Sequence, residues 1–525
     1  MRRIAMLAAA LLAACTPPAS APAPADALLT RAERSGYSET TRHEEVVAFI
    51  DEAARRSPLI HATTYGRTAE GRAMPLAVVG RVADASPEAV RASGRTVAYL
   101  QGNIHAGEVE GKEVLLMLLR DVAEGRYDAL LDSLVLLVGP IYNADGNERV
   151  DPGNRPLQHG PVDGMGTRAN AMGLDLNRDH TKLDSPEARA LAAMLTAYDP
   201  HLTVDLHTTN GTRHAYHLTY APPLHPNTPA AIDRMLRDRW LPEVGEALRR
   251  EHGWLTWHYG NVPPAESTAE RGWYTFDHRP RFGTTYAGLR NRFAILSEAY
   301  AYLTFQDRVR VTRDFLDGIL AWAHAHATPI RAATEAADRE ELRGRPLALT
   351  GRFVAGGART VLMGEVAEEP NPHTGAVMLL RREVVREETM PVFIAFEAAE
   401  RERAPAMYLL PPGLDDIVGR LRRHGVRLVE VPAGTREVEA FRIDATETAE
   451  RPFQGRHERT TRGAWERAAR EIPAGTLGVP MNQPLARLAF TLLEPRSDDG
   501  FAAWNLLDGR MEAGGWYPVL RVPAD

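Results

Sequence analysis

Residues 97–116 read Val97-Ala98-Tyr99-Leu100-Gln101-Gly102-Asn103-Ile104-His105-Ala106-Gly107-Glu108-Val109-Glu110-Gly111-Lys112-Glu113-Val114-Leu115-Leu116. The first four residues form a short apolar run that predicts a buried strand. The stretch from Glu113 to Arg120 predicts a buried helix. Between them lies a Gly-rich turn that carries a histidine and a glutamate three residues apart. The carboxyl end of a strand in an open α/β sheet is where such folds place their ligands. Imidazole and carboxylate together also begin a catalytic zinc site, in which three protein ligands leave a fourth position open. His-x-x-Glu alone decides little, so the remaining parts of such a site have to be sought along the chain.

Working outward, strand-like runs alternate with helical ones. Strands are expected at 60–65, 74–79, 97–101, 134–141, 202–206, 215–220 and 293–297, and helices at 113–123, 186–197, 229–251 and 308–326. A helical pattern through Val46, Val47, Ile50 and Ala53 precedes them. This alternation predicts an α/β fold with a mixed central β-sheet covered by helices on both faces, the early hairpin adding antiparallel strands. Composition changes after about residue 326. A charged, helix-prone connector is expected over 329–344. A C-terminal α+β accessory domain is expected over 345–525, with short β-rich runs and one helix-to-strand unit near 414–431. The catalytic-type domain is accordingly placed at 37–328.

The chain has 525 residues, enough for two or three units, and 44% of them are hydrophobic and 25% charged, an ordinary globular balance. Its formal charge of −7, with no basic stripe, excludes a nucleic-acid partner. Arg2-Arg3 followed by an apolar run to Ala14 forms a targeting segment too short to span a bilayer. That run ends in Leu12-Ala13-Ala14-Cys15, and Cys15 is the only cysteine of the chain. This resembles the lipobox of bacterial lipoproteins. The resemblance implies a signal peptide over 1–15, lipidation at Cys15 and export, with the membrane reached only through that N-terminal anchor. Thr16 rather than aspartate after the cysteine points to the outer membrane. Residues 16–36, rich in Pro, Ala and Ser at their start, are expected to be a tether.

Four further motifs complete the search. The strand at 134–141 ends in Tyr142-Asn143-Ala144-Asp145-Gly146, and Arg168 is followed by Asp175-Leu176-Asn177-Arg178. His207 closes the apolar run 202–206, and Glu298 closes the run 293–297. In this order the set resembles the M14 family of zinc metallocarboxypeptidases over roughly residues 40–325. One departure is Ala144, where the family usually has proline. The resemblance implies one zinc ion held by His105, Glu108 and His207. Asp175 matches the carboxylate that fixes a ligand histidine, and Glu298 matches the general base. Asn177 and Arg178 match the pair that grips a substrate's terminal carboxylate, for which arginine offers a planar two-pronged donor set. Arg168 matches the arginine that stabilises the oxyanion.

The family's mobile tyrosine is expected in the window before the base, which holds Tyr274, with Tyr286 as the alternative. His159, His180, His214, His217, His225, His258 and His278 are read as surface or core residues, so no second metal is expected. The resulting expectation is a zinc exopeptidase that takes peptide substrates with a free C-terminal carboxylate. Two alternatives stay open: a zinc amidase or deacylase on the same fold, and a non-catalytic binding lipoprotein.

Overall fold

The structure, a computed structural model, describes residues 27–209, 211–371 and 374–524. Cys15, the expected signal peptide and most of the expected tether lie outside the described residues.

Eight strands make the central sheet: β1 (Ile60–Arg67), β2 (Ala73–Val79), β3 (Thr96–Gly102), β4 (Leu134–Gly139), β5 (Leu202–Thr208), β6 (Leu218–Ala221), β7 (Thr256–His258) and, after the short β8 (Trp273–Tyr274), β9 (Phe293–Ala299). Their order is β1-β2-β4-β3-β5-β9-β6-β7. The middle four, β4-β3-β5-β9, are parallel, while the β1–β2 hairpin joins one side antiparallel and β6 joins the other antiparallel. The sheet is therefore mixed, as its sequence predicts.

Side-chain alternation assigns the two faces of β3. Ala98 and Leu100 point into a core shared with the helices Glu110–Ala123 and Phe305–Ala325. Val97 and Tyr99 point into another, shared with the helix Pro186–Tyr198. Both faces are dry, so the parallel strands read as continuous apolar runs rather than alternating ones. The chain leaves β3 toward β4 on one side and later returns to β5 on the other. That reversal opens a crevice at the carboxyl ends of β3 and β5, which is where an open α/β sheet holds its ligand.

Structure begins earlier than expected. Thr30 and Glu33 form a reciprocal cap on the short helix Arg31–Arg34, Ala32 is fully buried, and Glu33 accepts from Arg120 at 2.6 Å. The connector at 329–344 is mostly the helix Ala327–Asp338, whose Ile330 and Ala337 join the core.

Beyond it come β10 (Pro346–Val354), β11 (Ala358–Met363), β12 (Val366–Pro370), β13 (Val377–Arg381), β14 (Arg386–Phe393) and β15 (Ala395–Arg403) in small antiparallel pairings. A six-stranded sheet follows, built from β16 (Met407–Leu410), β17 (Val429–Glu430), β18 (Gly434–Thr448), β19 (Arg459–Ile472), β20 (Leu477–Pro480) and β21 (Trp516–Val522) in the order β17-β20-β16-β21-β18-β19. The content is α+β. These residues do not stand apart from the first sheet: Leu410, Phe441, Leu488 and Phe490 share one apolar cluster with Val97, Tyr99 and Leu191. β8 pairs in parallel with β14, so the C-terminal part also adds strands beside the site. No helix among the described residues is long and apolar enough to cross a membrane.

Candidate active site

The loop after β3 turns sharply at Gly102, where a Cβ would meet Pro140 O at 2.9 Å and the backbone of Gly111 at 3.1 Å. Gly111, at the start of the following helix, lies against β5, and a Cβ there would meet Leu206 Cβ at 2.7 Å. The two glycines let the helix start close to the end of β5, and this brings the residues of the first motif next to His207. Glu108 Oε1 lies 3.0 Å from His105 Nδ1 and Glu108 Oε2 lies 2.8 Å from His207 Nδ1. One ligand-type atom from each of the three falls within 4.8 Å of the others, and all three side chains are buried.

Each histidine has a carboxylate beside its far nitrogen, in hydrogen-bond contact for His105 and in ion-pair contact for His207. His105 Nε2 lies 3.0 Å from Asp175 Oδ1, and His207 Nε2 lies 2.9 Å from Asp205 Oδ2. Asp205 is itself fixed by a 2.9 Å bond from Gln101 Nε2, and Gln101 Oε1 in turn accepts from the Tyr99 hydroxyl at 3.1 Å. With the Nε2 atoms so engaged, the Nδ1 atoms face the shared space, the arrangement by which carboxylates orient imidazole ligands. Burial alone would drive the His207 proton off, but Asp205 and Glu108 hold the ring well above its ordinary range. The same field attracts any cation placed at Nδ1. Two imidazoles and one carboxylate, preoriented in a site that favours positive charge, fit a divalent zinc ion.

Asp205 and Arg155 have no counterpart in the sequence expectations. Arg155 Nη2 donates to Glu108 Oε1 at 2.6 Å. Burial raises the Glu108 carboxyl, but His105, Arg155 and His207 outweigh it and keep it well below its usual range, so Glu108 stays ionised.

The other expected residues line the same cavity of about 530 Å³ as the trio: Arg168, Asn177, Arg178 and Glu298. Glu298 sits on β9 directly opposite His207 of β5. Burial, with Glu108 adding to it, raises its carboxyl above the normal range, although His207 opposes the shift. Asp175 is held well below its range because His105, Arg168 and Arg178 overcome its burial. Arg168 Nε donates to Asp175 Oδ2 at 2.9 Å, with Nη2 at 2.9 Å from the same oxygen and Nη1 at 3.9 Å from Glu108 Oε1, and the residue lines the cavity. Arg178 lies over the Phe282 ring at 3.9 Å, 3.8 Å from Asp175, and is only partly neutralised by it. Asn177 Oδ1 accepts from Gly283 N at 2.9 Å, which leaves its amide donors as the groups the cavity can use.

Residues 46–276 match the family model of the zinc carboxypeptidases, and that stretch contains His105, Glu108, Asp175, Asn177, Arg178 and His207. Over this stretch the chain is similar to the M14 family of zinc carboxypeptidases. The chain is similar along most of its length to carboxypeptidase 2 of Trichophyton tonsurans, at 24% identity over 501 residues, covering 93% of this chain and 87% of that one. It is also similar to human carboxypeptidase D, at 31% identity over 207 residues, covering 33% of this chain and 15% of that protein. A metallo-carboxypeptidase from Burkholderia cenocepacia is similar in structure, with 18% identity, a TM-score of 0.41, and coverage of 55% of this chain and 71% of that one.

The site departs from expectation at its tyrosine. Tyr274 is not in the cavity: β8 pairs with β14, and the Tyr274 ring stacks on Phe393 at 4.3 Å while its hydroxyl donates to Glu270 O at 3.1 Å. Tyr286 is fully buried, its hydroxyl 2.8 Å from His424 Nδ1. The tyrosine that lines the cavity is Tyr259, edge-on to Phe276 at 5.6 Å, with Asn261 donating to its hydroxyl at 3.3 Å. Burial, reinforced by Glu298, raises its phenol, so it keeps a proton to donate. Tyr259→Phe should lower kcat/KM on peptide substrates about 3–10-fold, the worth of one hydrogen bond, whereas Tyr274→Phe should leave it within about twofold. Steady-state kinetics of the two variants decides between them.

Proposed function

We propose that the chain is a zinc-dependent exopeptidase that hydrolyses the C-terminal residue from peptides carrying a free carboxylate. The observation that carries this reading is that one cavity holds the His105–Glu108–His207 trio and Glu298 together with Asn177 and Arg178. The first group suits hydrolysis and the second suits a carboxylate end.

His105, Glu108 and His207 would hold the zinc ion. When bound, zinc supplies Lewis-acid polarisation of the scissile carbonyl and a lowered pKa for the nucleophilic water. Glu298 accepts a proton from the attacking water and delivers it to the leaving amine nitrogen. A carboxyl raised by burial can do both near neutral pH. Arg168, braced by Asp175, donates to the oxygen that gains charge as the carbonyl carbon becomes tetrahedral. Arg178, over the Phe282 ring and with Nη1 donating to Asn177 O at 2.8 Å, presents its remaining donors to the substrate carboxylate, and Asn177 adds a neutral donor. Together they set the distance from the chain end to the cleaved bond, and so count one residue from the C-terminus.

Purified protein should contain about one zinc per chain. Chelation should abolish peptide-acid hydrolysis, and added zinc should restore it. A protein that holds no zinc would favour the binding-lipoprotein alternative. For its location we propose an exported protein anchored by lipid at Cys15, supported by the Leu12-Ala13-Ala14-Cys15 pattern. Intact-mass analysis of the membrane fraction should find an acylated N-terminus at Cys15, and Cys15→Ser should remove it. An unmodified N-terminus downstream of residue 15 would contradict the anchor.

A further inference from the structure

The long antiparallel pair β18–β19 runs from the C-terminal sheet toward the active-site rim, and its turn spans residues 449–458. At the tip, Phe453 and Arg456 bridge each other across Gln454 and Gly455. Gln454 Oε1 accepts the backbone N–H of Asp175 at 2.7 Å. Asp175 contacts four groups of the site: His105 at 3.0 Å, Arg168 at 2.9 Å, Asn177 N at 2.9 Å and Arg178 at 3.8 Å. One side chain from the C-terminal region therefore fixes the backbone of the residue on which a zinc ligand and both substrate-facing arginines converge.

The tip is clamped in place for this contact. Arg456 makes a two-pronged pair with Asp184, at 2.6 and 2.7 Å. Phe453 lies over the Arg281 guanidinium at 5.5 Å and parallel to Trp504. Arg281 bonds Glu458 at 2.7 Å and the buried Asp499 at 2.8 Å, and Trp504 Nε1 donates to Thr181 Oγ1 at 2.9 Å. These partners hold the two loops, 175–184 and 281–283, that present Asn177, Arg178 and Phe282. Gln454 itself has φ +51°, in the left-handed region that glycine tolerates far better than glutamine.

We propose that Gln454 is a positioning residue of the active site, holding Asp175 so that His105 and Arg168 keep their working orientation, and that the C-terminal region serves this support. The inference rests on the reading of His105, Glu108 and His207 as the zinc ligands. It is tested on the full chain with Gln454→Leu, Gln454→Gly and Gln454→Glu, all checked for folding by circular dichroism. Two readouts are followed: zinc release into an excess of colorimetric chelator, and hydrogen exchange of the peptide covering residues 174–178. Leu and Gly remove the acceptor, and Gly also relieves the backbone. Both should release zinc about 10-fold faster, lower kcat on peptide acids and lose protection at Asp175. Glu keeps an acceptor oxygen and should stay close to wild type in all three. Wild-type release and protection in the Leu and Gly variants would overturn the proposal, as would a Glu variant as impaired as Leu. If the unmutated protein held no zinc, the zinc reading would fall by itself. Unchanged exchange at 174–178 would then still overturn the positioning role, and faster exchange would support it.

Discussion

Replacing Glu298 by glutamine should leave a folded protein that retains zinc and turns over peptide about 10²–10⁴ times more slowly. Glu298 stands across from His207 on the adjacent strand and lines the cavity, yet it is not one of the three converging ligand residues. Glutamine has the same shape and cannot accept a proton, so the substitution removes proton transfer and little else. The neighbouring Leu296 is buried, and the apolar strand around it keeps the carboxyl raised. The check is kcat together with zinc content of the same preparation. A variant keeping more than about a tenth of the wild-type kcat would mean that the base lies elsewhere.

The second large effect is expected at Arg178. Arg178→Ala should cost about 2–3 kcal/mol in kcat/KM on a peptide acid, a loss of roughly 30- to 150-fold, because a charge-assisted contact with the terminal carboxylate disappears. Its guanidinium stacks on Phe282 and stands at 3.8 Å from Asp175, so it is preoriented without being fully neutralised. Activity on a chromogenic ester or amide lacking the carboxylate should change little. Arg168→Ala should behave otherwise and depress kcat on both kinds of substrate, since an oxyanion donor acts whatever stands at the chain end. Equal losses on both substrates for Arg178→Ala would make that arginine structural and favour the amidase alternative.

Much of this site is legible in the sequence because its parts sit at the ends of apolar strands. His105 follows β3, His207 ends β5 and Glu298 ends β9, and parallel neighbours bring their carboxyl ends together without further instruction. Asp175, Asn177 and Arg178 are legible for another reason: they share one short motif. Asp205 was present in the same apolar run as His207, two residues earlier and so on the same face of the strand. A lone carboxylate inside a buried strand is a signal that periodicity counting treats as noise. Tyr274 is misread because its surroundings come from far away in sequence: β14, more than a hundred residues later, draws its strand out of the cavity. Tyr259 lies after a three-residue strand too short to detect. The same holds for Gln454, whose contact with Asp175 spans 279 residues. Local pattern finds what strand ends arrange, and misses what the C-terminal region brings in.

The central claim is removal of C-terminal residues guided by a free carboxylate. Its most direct test is mass spectrometry of the products formed by the zinc-loaded protein from one peptide offered as its acid and as its C-terminal amide. The account predicts stepwise loss of single residues from the C-terminus of the acid, with the amide cleaved at least about 30-fold more slowly. Internal fragments, or equal cleavage of the two forms, would contradict it.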